Sequence, residues 1–147
     1  CMEKVRTGDF LGEYSQVVGE FVARLAREVK RRWPGKTVVH LPYQNYTKPP
    51  VGVVFPDNVV VHVCHTRPLP LYKEPRIYAE ERAVIDGWRK ALRRPIGHYH
   101  YVNTWPDDNT AAPFQYRRVM KTFFADHRDS FGTNNDGVLV FDWARHT

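Results

Sequence analysis

The sequence predicts an α/β fold with a mainly parallel sheet, about half of a (β/α)8 TIM barrel. Three observations lead there. Apolar residues recur at helical spacing in three segments, and short β-branched or aromatic runs lie between them. Those runs are near-continuously apolar rather than alternating, as in strands covered on both faces. The order along the chain, α-β-β-α-β-α-β, repeats a strand followed by a helix except at one connection, and four strands with three helices make about half of an eight-stranded barrel. The 147 residues are read as a single domain or as the C-terminal half of a barrel domain.

Residues 1–14 lack periodicity and read as a lead-in. Ser15 is a fair N-cap for a helix running to Trp33, whose Val18, Phe21, Val22, Leu25, Val29 and Trp33 define one apolar face. Pro34-Gly35 ends it, and Thr37–Leu41 forms the first strand. From Tyr43 to Asp57 the chain is proline-rich and irregular, with Pro49-Pro50 favouring extended backbone. A connection of that length in a small domain points to a functional loop. Asn58–Cys64 is the second strand, and 66–75 is another proline-rich loop. Ala79–Leu92 is the second helix, with Ile85, Trp88 and Leu92 on one side, stopped by Pro95. Ile96–Val102 is a third strand, unusual for its His98-Tyr99-His100-Tyr101. A loop at Asn103–Ala112 precedes a third helix, Phe114–Asp126, with Pro113 at its start and Tyr116, Met120, Phe123 and Phe124 inward. A Gly/Asn-rich turn leads to the last strand, Val138–Phe141.

Composition bounds the class. With 42% hydrophobic, 26% charged and 14% aromatic residues the chain is globular, not disordered or fibrous. Its formal charge of +6 is compatible with an anionic partner, but much of the surplus flanks the helices, at Arg24, Arg27, Lys30 and Arg31 and again at Arg89, Lys90, Arg93 and Arg94. That is the pattern of a solvated outer face. Cys1 and Cys64 do not make a disulfide framework, and Cys64 sits in an apolar run as a buried thiol would. No stretch is apolar enough to span a membrane and no signal-peptide pattern opens the chain. Asn45-Tyr46-Thr47 fits the glycosylation sequon, a weak pattern.

From about Tyr14 to Asp136 an ordered series of features resembles a poorly characterised family of glycoside-hydrolase-like TIM barrels allied to alpha-glucuronidases and beta-N-acetylhexosaminidases. The series runs Phe21-Val22-Ala23-Arg24-Leu25-Ala26, Trp33-Pro34-Gly35-Lys36, Leu41-Pro42-Tyr43-Gln44, Lys48-Pro49-Pro50 and Pro56-Asp57-Asn58-Val59-Val60-Val61. It ends with Gly87-Trp88 ahead of the aromatic strand Tyr99-His100-Tyr101 and its Asn103 loop. No single motif is diagnostic; the order and spacing carry the likeness. The family usually has Trp-Asp-Tyr on the aromatic strand where this chain has Tyr99-His100-Tyr101. Cys1 resembles the last cysteine of a Cys-rich segment that follows the family's catalytic strand. The resemblance thus implies acid/base carboxylates upstream of this sequence, and a chain that lines the sugar-binding cleft as the C-terminal half of a barrel.

In a parallel α/β fold the chemistry lies just past the strands. Tyr43, Tyr101 and Trp105 would stack on a pyranose face, while Gln44, His65, Arg67, His100 and Asn103 would bond hydroxyls or a uronate. Glycoside hydrolysis needs two carboxylates; Asp107 and Asp108 read as solvated turn residues, which leaves Asp142, at a strand exit, as the chain's own catalytic candidate. The expected partner is an oligosaccharide or polysaccharide, together with the remainder of the barrel or a second copy of the chain covering open sheet edges. A secreted or periplasmic location goes with that reading. No membrane, no cofactor and no metal are called for.

Two alternatives compete. His98-Tyr99-His100 resembles the metal site of rolling-circle (HUH) endonucleases, with Tyr116 as nucleophile. Those enzymes need an antiparallel sheet, however, and two-His motifs arise by chance in a chain with 7 histidines, so nucleic acid is not favoured. A non-catalytic carbohydrate-binding module would use the same aromatic residues. If strands two and three adjoin, His62, Cys64, His65, His98 and His100 could gather around zinc, but no CxxC or HExxH spacing supports this, and hydrogen-bonded polar groups are the simpler reading.

Overall fold

The computed structural model of the chain describes residues 9–65, 74–101, 117–130 and 138–141. Helix α1 runs Ser15–Arg32 and strand β1 Val38–His40; β2 follows at Val59–His65. Helix α2 spans Pro75–Leu92, β3 Gly97–Tyr101, α3 Arg117–Asp126 and β4 Val138–Phe141. The four strands form one sheet in the order β1-β2-β3-β4, and each neighbouring pair is parallel. Strand neighbours in chain order, with helices covering one face and joining all but β1 and β2, give the winding of half a (β/α)8 barrel. The doubly wound alternative would reverse the strand order and place helices on both faces.

One core lies between the helices and the sheet. Val22 and Ala26 of α1, Val84, Ile85 and Trp88 of α2 and Phe123 of α3 pack on Val59, Val61 and Val63 of β2 and on Ile96 ahead of β3. Alternate residues of a strand face opposite ways, so Val59, Val61, Val63 and His65 all point under the helices. The opposite face carries Val39, which is 56% exposed, the half-buried Val60 and Tyr99, and the buried His62 and Cys64.

The face of α1 differs from the expected one. Its buried residues are Ser15, Gly19, Val22, Ala23 and Ala26, whereas Phe21, Leu25 and Trp33 are exposed. Close approach decides this. Any side chain at Gly19 would collide with the Pro50 ring, so small residues face the protein and the bulkier ones turn out. Ser15 is not the N-cap either. Tyr14 holds that position without a side-chain cap bond, and Ser15 is buried in the first turn.

The connection that lacks a helix is packed, not loose. Residues Gln44–Tyr46 form a single 3-10 turn. The Trp88 indole N–H donates to the Thr47 carbonyl at 2.7 Å, and the Tyr14 and Lys48 N–H groups bond Asn45 and Leu11 carbonyls at 2.9 and 3.0 Å. Pro50 lies against Gly19 of α1, and a Cβ on Gly87 of α2 would stand 3.0 Å from Pro49. Phe55 packs 5.7 Å from Trp88, ring to ring. This proline segment thus fills the gap between α1 and α2 that a crossover helix would occupy.

Helix α2 begins four residues earlier than periodicity suggests because Pro75 suits its first turn, where no N–H partner is needed. It ends at Leu92, capped by Arg93 at φ +54. The end of α3 and the 3-10 turn after it, Arg128–Ser130, dock on α2 through Tyr78 Oη to Asp126 at 2.6 Å, Arg82 to the Asp126 carbonyl at 2.9 Å and Arg89 to Asp129 at 2.6 Å. Phe123 is buried as expected, but Phe124 is 36% exposed. Tyr116 and the side chain of Met120 lie outside the described residues. Among the described residues no helix is long and apolar enough to cross a membrane.

Candidate functional site

The residues expected at the strand exits divide into three groups. Tyr43 and Gln44 stand just beyond β1, held near the end of β2 by the Cys64 N–H, which donates to the Pro42 carbonyl at 3.0 Å. Tyr43 is half-buried with extended backbone; Gln44 is exposed and sits at φ +46, a left-handed conformation. That conformation is sparsely populated for a residue with a Cβ. The Thr47 hydroxyl, donating to the Gln44 carbonyl at 2.7 Å, helps to hold the turn. His65 and His100 form the second group, at the ends of β2 and β3, but they point under the helices and are each 1% exposed. Tyr101 closes β3, and its side chain lies outside the described residues, as do Arg67, Asn103, Trp105, Asp107, Asp108 and Asp142.

What the fold does bring together is a histidine cluster. The parallel register sets Val63 beside His98 and His65 beside His100, so three imidazoles share one face of adjoining strands. His65 Nε2 and His98 Nδ1 lie 2.9 Å apart, the His65 and His100 rings stack at 4.3 Å, and one ring nitrogen from each of the three falls within 4.8 Å of the others. Glu81, reaching in from α2, bonds His65 Nδ1. Phe123 lays its ring edgewise against the cluster, 4.5 Å from His100, and His127, one helical turn further on, is 4.5 Å from Phe123. Among the described residues neither nitrogen of His100 has a hydrogen-bond partner.

Burial sets the charge state. It pushes His98 and His100 down to about 2, with the neighbouring imidazoles adding to the effect, and His127 down to about 4. A neutral imidazole offers a lone pair, so His98 and His100 can each act as a nitrogen donor. Cys64 and His62 face the other side of the sheet and do not join them; burial also raises the Cys64 thiol to about 12, which makes it a poor nucleophile.

Sequence reasoning missed Glu81 and His127 as members of this cluster. Glu81 left a signal: it falls on the stripe shared by Ile85, Trp88 and Leu92, and an acidic residue on an apolar stripe needs a buried partner. His127 left none, because its burial depends on how α3 docks.

The fold and its strand-end rim define an α/β protein of the half-barrel type. More particularly, the family model described as Domain of unknown function (DUF4838) matches residues 1–135, and the chain belongs to that family. No curated protein and no solved structure matches it.

Proposed function

We propose that this chain lines the sugar-binding cleft of a glycoside-hydrolase-like (β/α)8 barrel, allied to the alpha-glucuronidase and beta-N-acetylhexosaminidase group. The observation that supports this most is the sequential parallel order of the sheet, which gathers the strand exits onto one rim. Ligand sites of such barrels lie on that rim. Tyr43 offers a ring and Gln44 an exposed amide on a constrained turn, as recognition of a sugar face and its hydroxyls requires. Arg67, Tyr101, Asn103 and Trp105 belong to the same rim by sequence, and Asp142 is the chain's own acid candidate. An exposed ridge of Val17, Phe21 and Leu25 on α1, together with the open sheet face at Val39, suits coverage by the remainder of a barrel or by a second copy.

The test is calorimetric titration of the protein with glucuronate- and N-acetylhexosamine-containing oligosaccharides, paired with a hydrolysis assay. Tyr43→Ala should weaken binding by about 1 kcal/mol, roughly fivefold in Kd, without lowering the melting temperature. Binding without hydrolysis would assign the rim to non-catalytic recognition. Failure to bind any of these sugars would remove the reading. Single-stranded DNA cleavage, suggested by His98-Tyr99-His100, has less support because every described strand pair is parallel.

A further inference from the structure

We infer that His65, His98 and His100 form a binding site for one late first-row divalent cation, of which zinc is the best fit. The site cross-ties β2 and β3 beneath α3. It is independent of the sugar-cleft reading, because the trio points under the helices.

Four observations converge on it. The three nitrogens lie within 4.8 Å of one another, and the His65–His98 pair is at 2.9 Å. Nitrogens sharing a zinc at ~2.0–2.1 Å in tetrahedral geometry are about 3.3 Å apart, so modest side-chain rotation closes the set on a shared ion. The strands that carry the ligands are hydrogen-bonded neighbours with His65 in register with His100, so the backbone holds two of the three side by side. His100, 1% exposed, has two nitrogens without hydrogen-bond partners among the described residues, and a buried polar atom left so is costly. A bound cation would occupy the ring's lone pair.

The fourth observation is Glu81. Its carboxylate accepts from His65 Nδ1, which makes Nε2 the lone-pair nitrogen, the one that meets His98 Nδ1 at 2.9 Å. A carboxylate behind a ligating histidine sets the tautomer and raises the basicity of the donor. All three ligands are imidazoles, which suits zinc, copper or nickel over magnesium or calcium, whose preferred donors are oxygens. Zinc is chosen over the other two because it imposes no geometry of its own on a set that the sheet has arranged.

The experiment uses chelator-stripped wild-type protein, shown to be folded by circular dichroism and titrated with Co2+ as the spectroscopic probe and with Zn2+ in competition. The expected result is the visible absorption of tetrahedral Co2+, displacement by one equivalent of Zn2+, and a higher melting temperature with Zn2+ but not with Mg2+. Glu81→Gln should lower zinc affinity ~10–100-fold, His100→Ala should lose it, and Cys64→Ser, on the opposite face, should bind as wild type does. If His100→Ala fails to fold, the wild-type Co2+ spectrum and the Glu81→Gln shift decide. A folded wild-type protein that takes up neither ion overturns the proposal, as does a Glu81→Gln or a folded His100→Ala variant with undiminished affinity.

Discussion

Along the helix-covered face of the sheet, the two ends of the strands are built from different materials. At the N-terminal end Val59, Val61 and Val63 pack with Val22, Ala26, Ile85 and Trp88, all apolar side chains at 0–7% exposure. Towards the C-terminal end the same face carries His65 and His100, with His98 beside Val63, all equally buried, with Glu81 and Phe123 over them. Burial is alike at both ends, yet the first is explained by transfer of hydrocarbon out of water and the second is not. Imidazoles gain nothing from a dry environment unless hydrogen bonds or a cation satisfy them. The lesson is that burial alone does not identify core; the chemistry of what is buried decides whether a region exists for packing.

Truncating one large side chain at each end should break the likeness. Trp88→Ala removes a fully buried ring and strands the Thr47 carbonyl that its indole serves, so it should cost ~4–5 kcal/mol in a denaturant titration. Phe123→Ala opens a cavity lined by ring nitrogens, which can take water, and should cost less, about 3 kcal/mol. Equal costs would mean that the histidine end behaves as ordinary core.

Acid should act next. His40, 6% exposed near Trp88, is held at about 4 by burial, below the ordinary value near 6.5. The unfolded chain therefore binds the extra proton first. The associated stability is whole above pH ~6.5 and is lost as pH falls towards 4, by up to about 3 kcal/mol. His40→Phe should flatten that part of the stability profile, and an unchanged profile would remove His40 as its source. Smallest of all, Phe124→Ala, on the outer side of α3, should change stability by no more than about 0.5 kcal/mol, in contrast to its neighbour Phe123.

Much of the architecture could be read from the chain. β4 falls on Val138–Phe141 as expected, α2 ends at Leu92, and α1 spans the residues its periodicity indicates. These boundaries follow from local causes: Pro34-Gly35 and Pro95 stop helices, and near-continuous apolar runs require strands covered on both faces. The parallel order followed from the strand–helix alternation, because successive parallel strands need a crossover between them. The candidate rim was legible for the same reason, at least at Tyr43 and Gln44.

What the sequence could not determine is how elements meet. The rotation of α1 depends on Pro50 lying against Gly19, a contact between residues 31 positions apart (50 − 19). That the proline segment replaces a helix depends on Gly87 leaving room for Pro49. His65 and His98 become partners only through a register that pairs β2 with β3, and Glu81 joins them only once α2 docks. Local sequence sets backbone preference over a few residues, and so the elements themselves were written in the chain. Which faces those elements bury is a property of the whole packed arrangement, and only the tertiary structure decided it.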